Sequence, residues 1–186
     1  PQGELAITAP VAFGRLHVLP IVTAFLKSSP RLTARMLLID RVVDLIEEGI
    51  DISLRIGAMP DSSLRATRVG AIRLITCASP AYLSERGVPS SPRELAGHDC
   101  VSVTALSPAD RWIFPGAKAP QRIAIKPRLI VNTAEAAIDA AKDSLGVVRV
   151  LSYQAQAGLA DGSLRLILQA FEPEPITAED VAAFVE

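Results

Sequence analysis

Asp40–Gly57 reads DRVVDLIEEGIDISLRIG. Val42, Leu45, Ile46 and Gly49 fall at helical spacing, while Ile50, Ile52, Leu54 and Ile56 alternate as a strand does. Gly49 stands where a helix end takes a residue tolerant of positive φ, and Asp40 is placed to cap the helix ahead of Arg41. The stretch predicts a short amphipathic helix running directly into a buried strand, one repeat of an α/β layer. Its C-terminal end is Arg55-Ile56-Gly57. Ligands of open α/β sheets lie beyond the carboxyl ends of the strands, so this end is a binding-site candidate.

Working outward, Leu5-Ala-Ile-Thr-Ala9 predicts a first strand, ended by Pro10. Helical spacing then runs through Phe13, Leu16, Pro20, Ala24 and Phe25 to about Ser28, with Pro20 implying a kink or a late helix start. Thr33–Ile39 is an apolar second strand. The first 57 residues thus read β-α-β-α-β, the mark of a mostly parallel sheet with covering helices. Asp61-Ser-Ser-Leu64 reads as a loop. Thr67–Cys77 reads as one strand of eleven residues, against the usual ~5–6, and a strand that long can cross from one lobe into another.

Downstream, Ser79-Pro80 and Ser91-Pro92-Arg93-Glu94 each open a short helix with a cap and an early proline, and Gly87 closes the first. Strands are expected at Cys100–Thr104, Trp112–Phe114, Arg122–Lys126 and Leu129–Val131. Asn132-Thr133 caps a helix from Ala134 to about Ser144. Val147–Leu151 is a strand, Ser152 opens a helix through Leu159, and Leu164–Leu168 is a strand. Thr177-Ala-Glu-Asp180 caps a last helix carrying Val181, Phe184 and Val185.

Apolar residues make up 49% of the 186 and charged ones 21%, enough to bury a core. No run approaches the ~20 apolar residues of a membrane helix. A net charge of −1 without a basic block gives this segment no grip on phosphate backbones. Cys77 and Cys100, the only cysteines, read as reduced core thiols. The start at Pro1 reads as a cut from a longer protein.

The order ITAPVAFGRLHVLP, DRVVDLIEEGIDISLRIG, DSSLRATRVG, CASPAYLSERGVPSSPRELAGHDCV, WIF, NTAEAAIDAAKDSLGVVRVLSYQ and LADGSLRLIL resembles the effector-binding domain of LysR-type transcriptional regulators. It looks closest to the subgroup with D-R-x-V-D-L-x-x-E-G-x-D. The likeness runs from Gly3 to about Ile176. It implies an α/β chain with the two-lobed type 2 periplasmic-binding-protein fold, mixed sheets flanked by helices, and two crossover strands as hinge. On this reading residues 1–76 and 152–186 form lobe I, and 77–151 form lobe II. A small effector would bind between the lobes, and the helix-turn-helix that contacts DNA would lie upstream of Pro1. Two departures stand out. Thr177 follows Ile176 at once, where the family has a further strand and loop, and Lys142-Asp143-Ser144 is more polar than usual.

Candidate effector contacts come from both lobes. Pro10, Val11, Ala12 and Phe13 form the first strand-to-helix turn, whose free N–H groups favour an anion; an ordinary turn explains them too. Asp40 and Arg41 follow the second strand as cap or pocket wall. Arg55 offers a fork for carboxylates or a surface ion pair, with Ile56 and Gly57 beside it. Ser102 and Thr104 project one way from their strand. Trp112 is core or a ligand platform. Asn132 and Thr133 place a second helix N-terminus at the ligand. His98-Asp99-Cys100 falls short of the about four ligands of a zinc site, and no G-x-S-x-G elbow or G-x-G-x-x-G turn is present. No catalytic residue, metal or cofactor is therefore assigned.

The sequence reads as a sensor, not an enzyme. Its effector is a small molecule, leaning toward a small organic acid, whose binding shifts a dimer or tetramer that positions DNA-binding modules. The apolar faces of the first helix (Leu16 to Phe25) and the second strand are candidates for the dimer surface, or for the monomer core. The resemblance implies a cytoplasmic protein with no membrane partner. The alternative is an extracytoplasmic solute-binding protein of a transporter on the same fold. An enzyme would need a catalytic group in the cleft, and no cluster nominates one.

Overall fold

The computed structural model describes residues 2–41, 43–57 and 65–182. Contacts divide the chain into two compact units, Pro1–Ile72 with Ile176–Glu186, and Arg73–Pro175. The chain passes from one to the other at Ile72/Arg73 and returns at Pro175/Ile176. These crossings differ from the 76/77 and 151/152 expected from the sequence. Residues 152–175 lie with the second unit because β11 (Arg165–Ile167) pairs antiparallel with β5 (Leu74–Ala78).

In the first unit β1 (Gly3–Ala9) lies between β2 (Leu32–Leu38) and β3 (Ile52–Ile56), parallel to both. β12 (Ile176–Ala182) follows antiparallel to β3 and to β4 (Arg65–Ile72), giving the order β2-β1-β3-β12-β4. The helix expected at Thr177–Asp180 is therefore a strand: β3 and β4 leave a slot that an extended backbone fills with hydrogen bonds on both sides. Phe184 and Val185 lie outside the described residues, as do Val42 and the loop expected at Asp61–Leu64.

Helix α1, Val11–Ser28, covers this sheet, with Val18 and Val22 packed on Ile7 and Ala9. It contains Pro20 without a break, because Gly14–Val18 widens to π-helical geometry just upstream. A π turn shifts the hydrogen-bond ladder, so the missing proline N–H is absorbed locally. At 18 residues and mean hydropathy 1.3 it reaches the length and apolarity of a membrane span, which the sequence reading did not expect. Its buried face makes it the covering helix of an α/β layer.

The opening stretch departs from expectation in one respect. Leu45–Gly49 is a single turn rather than a helix. Asp44, not Asp40, opens it, its Oδ1 accepting the N–H groups of Ile46 and Glu47 at 2.9 and 3.0 Å. Leu45 is buried, but Ile46 is 74% exposed, so no helical face forms. Gly49 does close the turn, at φ +58°.

The eleven-residue strand is also two strands: β4 ends at Ile72, and β5 resumes at Leu74 in the second sheet. That sheet has the order β11-β5-β10-β6-β9, where β10 is Val147–Leu151, β6 Asp99–Val103 and β9 Lys126–Val131. β10, β6 and β9 are parallel, and β5 is antiparallel to β10. A hairpin of β7 (Arg111–Phe114) and β8 (Gln121–Ala124) completes the strands.

Helix α2, Pro80–Arg86, starts as expected, with Ser79 Oγ accepting the Tyr82 N–H at 3.2 Å. Helix α3, Ala134–Lys142, packs Ala137, Ile138 and Ala141 on one side of the sheet. Tyr82, Leu95, Trp112 and Phe114 fill the other. The helix expected from Ser152 begins only at Gln156 and ends at Ala160.

Candidate functional site

In the first unit three parallel strands end together, and the sequence-selected residues follow their carboxyl ends. Pro10, after β1, has an extended backbone, and its carbonyl accepts the Gly14 N–H at 2.7 Å, which starts α1. Val11 is 43% exposed, Ala12 is buried, and Phe13 packs toward the apolar layer under α1. Asp40, after β2, reaches across: its Oδ1 accepts the Val11 N–H at 3.0 Å. A carboxylate from the chain thus occupies the anion-favouring start of the helix.

Arg55, near the end of β3, donates from Nη1 to the Ile39 carbonyl at 3.2 Å and from Nη2 to Thr8 Oγ1 at 3.3 Å. Thr8 is fully buried and passes its own proton to the Leu37 carbonyl at 2.8 Å. Partial burial lowers the Arg55 pKa, and the nearby Asp40 charge offsets part of that. The guanidinium therefore ties the ends of β1, β2 and β3 to one another. Ile56 and Gly57 flank it half-buried, Gly57 at φ +115°, and Arg41 is exposed. Thr8 belongs to this cluster and was not singled out from the sequence. A threonine in an apolar strand at its carboxyl end is the signal that was available.

The five candidates of the second unit do not form one cluster of their own. Ser102 is wholly buried on β6, and its hydroxyl has no hydrogen-bond partner. Thr104 lies past the end of β6, exposed, its N–H donating to the Val131 carbonyl at 2.9 Å. Asn132 and Thr133 are exposed, and Thr133 Oγ1 caps α3 by accepting the Ala136 N–H at 3.4 Å. Trp112 is 1% exposed among Tyr82, Leu95 and Phe114, so it serves as core rather than as a ligand platform. Among the described residues no three of His, Cys, Asp and Glu gather to hold a metal.

Arg149 is the other residue not singled out. It is a lone charge in the strand Val147–Leu151, and it is 6% exposed. A charge inside an otherwise apolar buried strand is a strong sequence signal, and it stood in plain view in VVRVL.

The family model described as LysR substrate binding domain matches residues 1–183. A probable HTH-type transcriptional regulator of Klebsiella pneumoniae, LtrA, is 33% identical over 172 residues, 92% of this chain and 55% of its own length. CrgA of Neisseria meningitidis serogroup B, an HTH-type transcriptional regulator, is 30% identical over 88% of this chain and 54% of its own. The solved regulatory domain of CrgA from Neisseria meningitidis superposes with a TM-score of 0.83 at 26% identity, covering 99% of this chain and 90% of that one. The regulatory domain of AphB from Vibrio vulnificus, treated with cumene hydroperoxide, shares the fold at TM-score 0.83 and 23% identity, over 100% of this chain and 94% of that one. The chain spans between about half and two thirds of the length of the curated relatives it matches. The chain belongs to the LysR substrate binding domain family, the effector-binding regulatory domains of LysR-type transcriptional regulators.

Proposed function

We propose that this domain senses a small metabolite and reports it through the way copies of the domain pair. The observation that carries the sensing half is the gathering of the Pro10–Phe13 turn, Asp40 and Arg55 at the carboxyl ends of three parallel strands. A ligand contacting any of these groups perturbs the Arg55 tie and with it the relative set of the strand ends. Ser102, Thr104, Asn132 and Thr133 are the polar candidates of the second unit, and Trp112 belongs to its core.

The pairing half rests on α1. Leu16, Leu19, Ile21 and Phe25 are 38–69% exposed, and beside them runs a groove of about 560 Å³ between Ile21, Phe25, Leu32 and Leu54. The apolar edge of α1 that carries Ile21 and Phe25, with the groove beside it, fits an interface between copies, in a dimer or a tetramer. DNA contact then belongs to the part of the protein outside this chain, in line with the relatives' description as HTH-type regulators. A regulator of that kind acts in the cytoplasm.

The test joins a metabolite screen by thermal shift to sedimentation velocity. A metabolite that raises the melting temperature should also change the sedimenting species, and Ile21→Glu with Phe25→Glu should give a monomer that still binds. A domain that stays monomeric at all concentrations, with or without the stabilising metabolite, would sink the pairing mechanism.

A further inference from the structure

Arg149 lies on the middle strand of the second sheet, paired on both sides, in a strand whose other residues are all apolar. Its guanidinium stacks 4.2 Å from the centre of the Phe114 ring, and Nη1 donates to the Ile113 carbonyl at 2.7 Å. Nε and Nη2 are buried and have no hydrogen-bond partner. No carboxylate among the described residues pairs with it. Burial alone lowers its pKa to about 10, so the group stays charged at neutral pH.

A buried cation is normally matched by an anion, because desolvation is otherwise uncompensated. The stacking on Phe114 supplies part of that compensation and the one carbonyl another part. The groups left over are specific. Nε–H and Nη2–H point the same way and form one edge of the guanidinium, the edge that takes both oxygens of a carboxylate. Hydroxyl-bearing residues flank Arg149 across the sheet. Thr76 lies directly opposite on β5. On β6, continuing the pairing of Val147 with Cys100 and Val148 with Val101 brings Ser102 level with Arg149, on the same face. The Ser102 hydroxyl is likewise buried without a hydrogen-bond partner. A cavity of about 140 Å³ opens beside Arg149, walled also by Leu74, Leu106, Ser107, Pro108 and Ile113.

In the first unit the corresponding groups are already engaged: Asp40 fills the helix start, and Arg55 is bonded to Ile39 and Thr8. We propose that Arg149 is the anion receptor of this domain, its Nε/Nη2 edge taking the carboxylate of a small organic acid that enters by the cavity Arg149 walls. The inference rests on the reading of the domain as an effector sensor and names the chemical class of that effector.

The test uses acetate, succinate and benzoate as probes, each against chloride at equal ionic strength, on the purified chain and on Arg149→Met and Arg149→Lys. Methionine keeps the bulk without the charge, and lysine keeps the charge without the fork. At least one acid should raise the melting temperature of the parent chain with dose. Both variants should bind it roughly 10- to 100-fold more weakly, the loss expected for a charge-assisted pair. The Arg149 Nε–H resonance should move on addition of the acid, a readout that needs no variant. Without acid, Arg149→Met should melt at or above the parent, since an unmatched buried charge is removed.

An acid that stabilises parent and variants alike overturns the proposal, as does a parent indifferent to all three acids with an immobile Nε–H signal. A variant that melts far below an acid-insensitive parent assigns Arg149 to holding the hairpin instead. The sensor reading fails separately: it falls only if neutral and cationic metabolites, screened alongside, also leave the parent unmoved.

Discussion

Asp40 Oδ1 sits 3.0 Å from the backbone nitrogen of Val11, bridging the end of β2 to the start of α1. The contact satisfies one of the N–H groups that a helix start leaves open and places a negative charge at the positive end of the helix dipole. Removing it in Asp40→Ala should cost about 1 kcal/mol, in the range of a lost N-terminal cap. Asp40→Asn keeps an acceptor and should cost less. Urea midpoints of the three proteins decide this, and equal midpoints would show that the bridge contributes nothing.

Gly146 makes a different kind of demand. A Cβ built there would stand 2.4 Å from the Asp99 carbonyl oxygen, a backbone atom that cannot swing aside. The two backbones approach because β10 enters the sheet beside β6 at this point. Gly146→Ala should therefore destabilise the domain by about 1–3 kcal/mol, the usual range for overpacking. Gly87→Ala serves as a contrast, since nothing lies near its Cβ and only its positive φ is strained. The reading fails if Gly146→Ala is the milder of the two in thermal melts.

What the sequence made legible was the alternation of elements and their caps. Ser79, Thr133, Gly49 and Gly87 all act where local chemistry placed them, because a cap or a positive φ is decided within a few residues. The misreadings had two sources, a local side chain in one case and distant strands in the other. Leu45–Gly49 kept helical spacing, but the Asp44 side chain closed a single turn first. Thr177–Asp180 has a good helix-cap pattern, yet its backbone is taken up by β3 and β4, more than a hundred residues away. Among the candidate residues, the sequence singles out Asp40 and Arg55 as individuals, but their roles in holding strand ends depend on Val11, Ile39 and Thr8. Trp112 looked like a candidate because it is unique, and uniqueness carries no information about burial.

Cys77 and Cys100 are free and wholly buried. Burial pushes both thiols up to about 12, and the thiolate is the reactive form. Neither should react with iodoacetamide or dilute peroxide in the native protein at neutral pH, and both should react once urea unfolds it. Mass spectrometry after a short pulse of each reagent reads the result. Labelling of either thiol in the folded protein on the timescale of a free cysteine would contradict the burial.

The burial of His98 should make stability fall as the pH drops below neutrality. The ring is buried, with Nδ1 3.2 Å from the Tyr82 hydroxyl, which also takes the Asp99 N–H at 2.9 Å. Burial lowers the His98 pKa most, Arg86 lowers it further, and Glu94 and Asp99 act in the opposite sense. The folded value thus lies below the ordinary 6.5 of the unfolded chain. Above 6.5 neither state holds the proton, and the neutral ring contributes its full stability. As pH falls below 6.5 the unfolded chain takes up a proton that the folded protein refuses, so stability declines until the folded value is reached. Urea midpoints should fall between pH 7.5 and 5.5 in the parent and fall less in His98→Phe. Tyr82→Phe retains the burial and should keep most of the slope. A parent and a His98→Phe variant with the same pH dependence would move the acid sensitivity to another group.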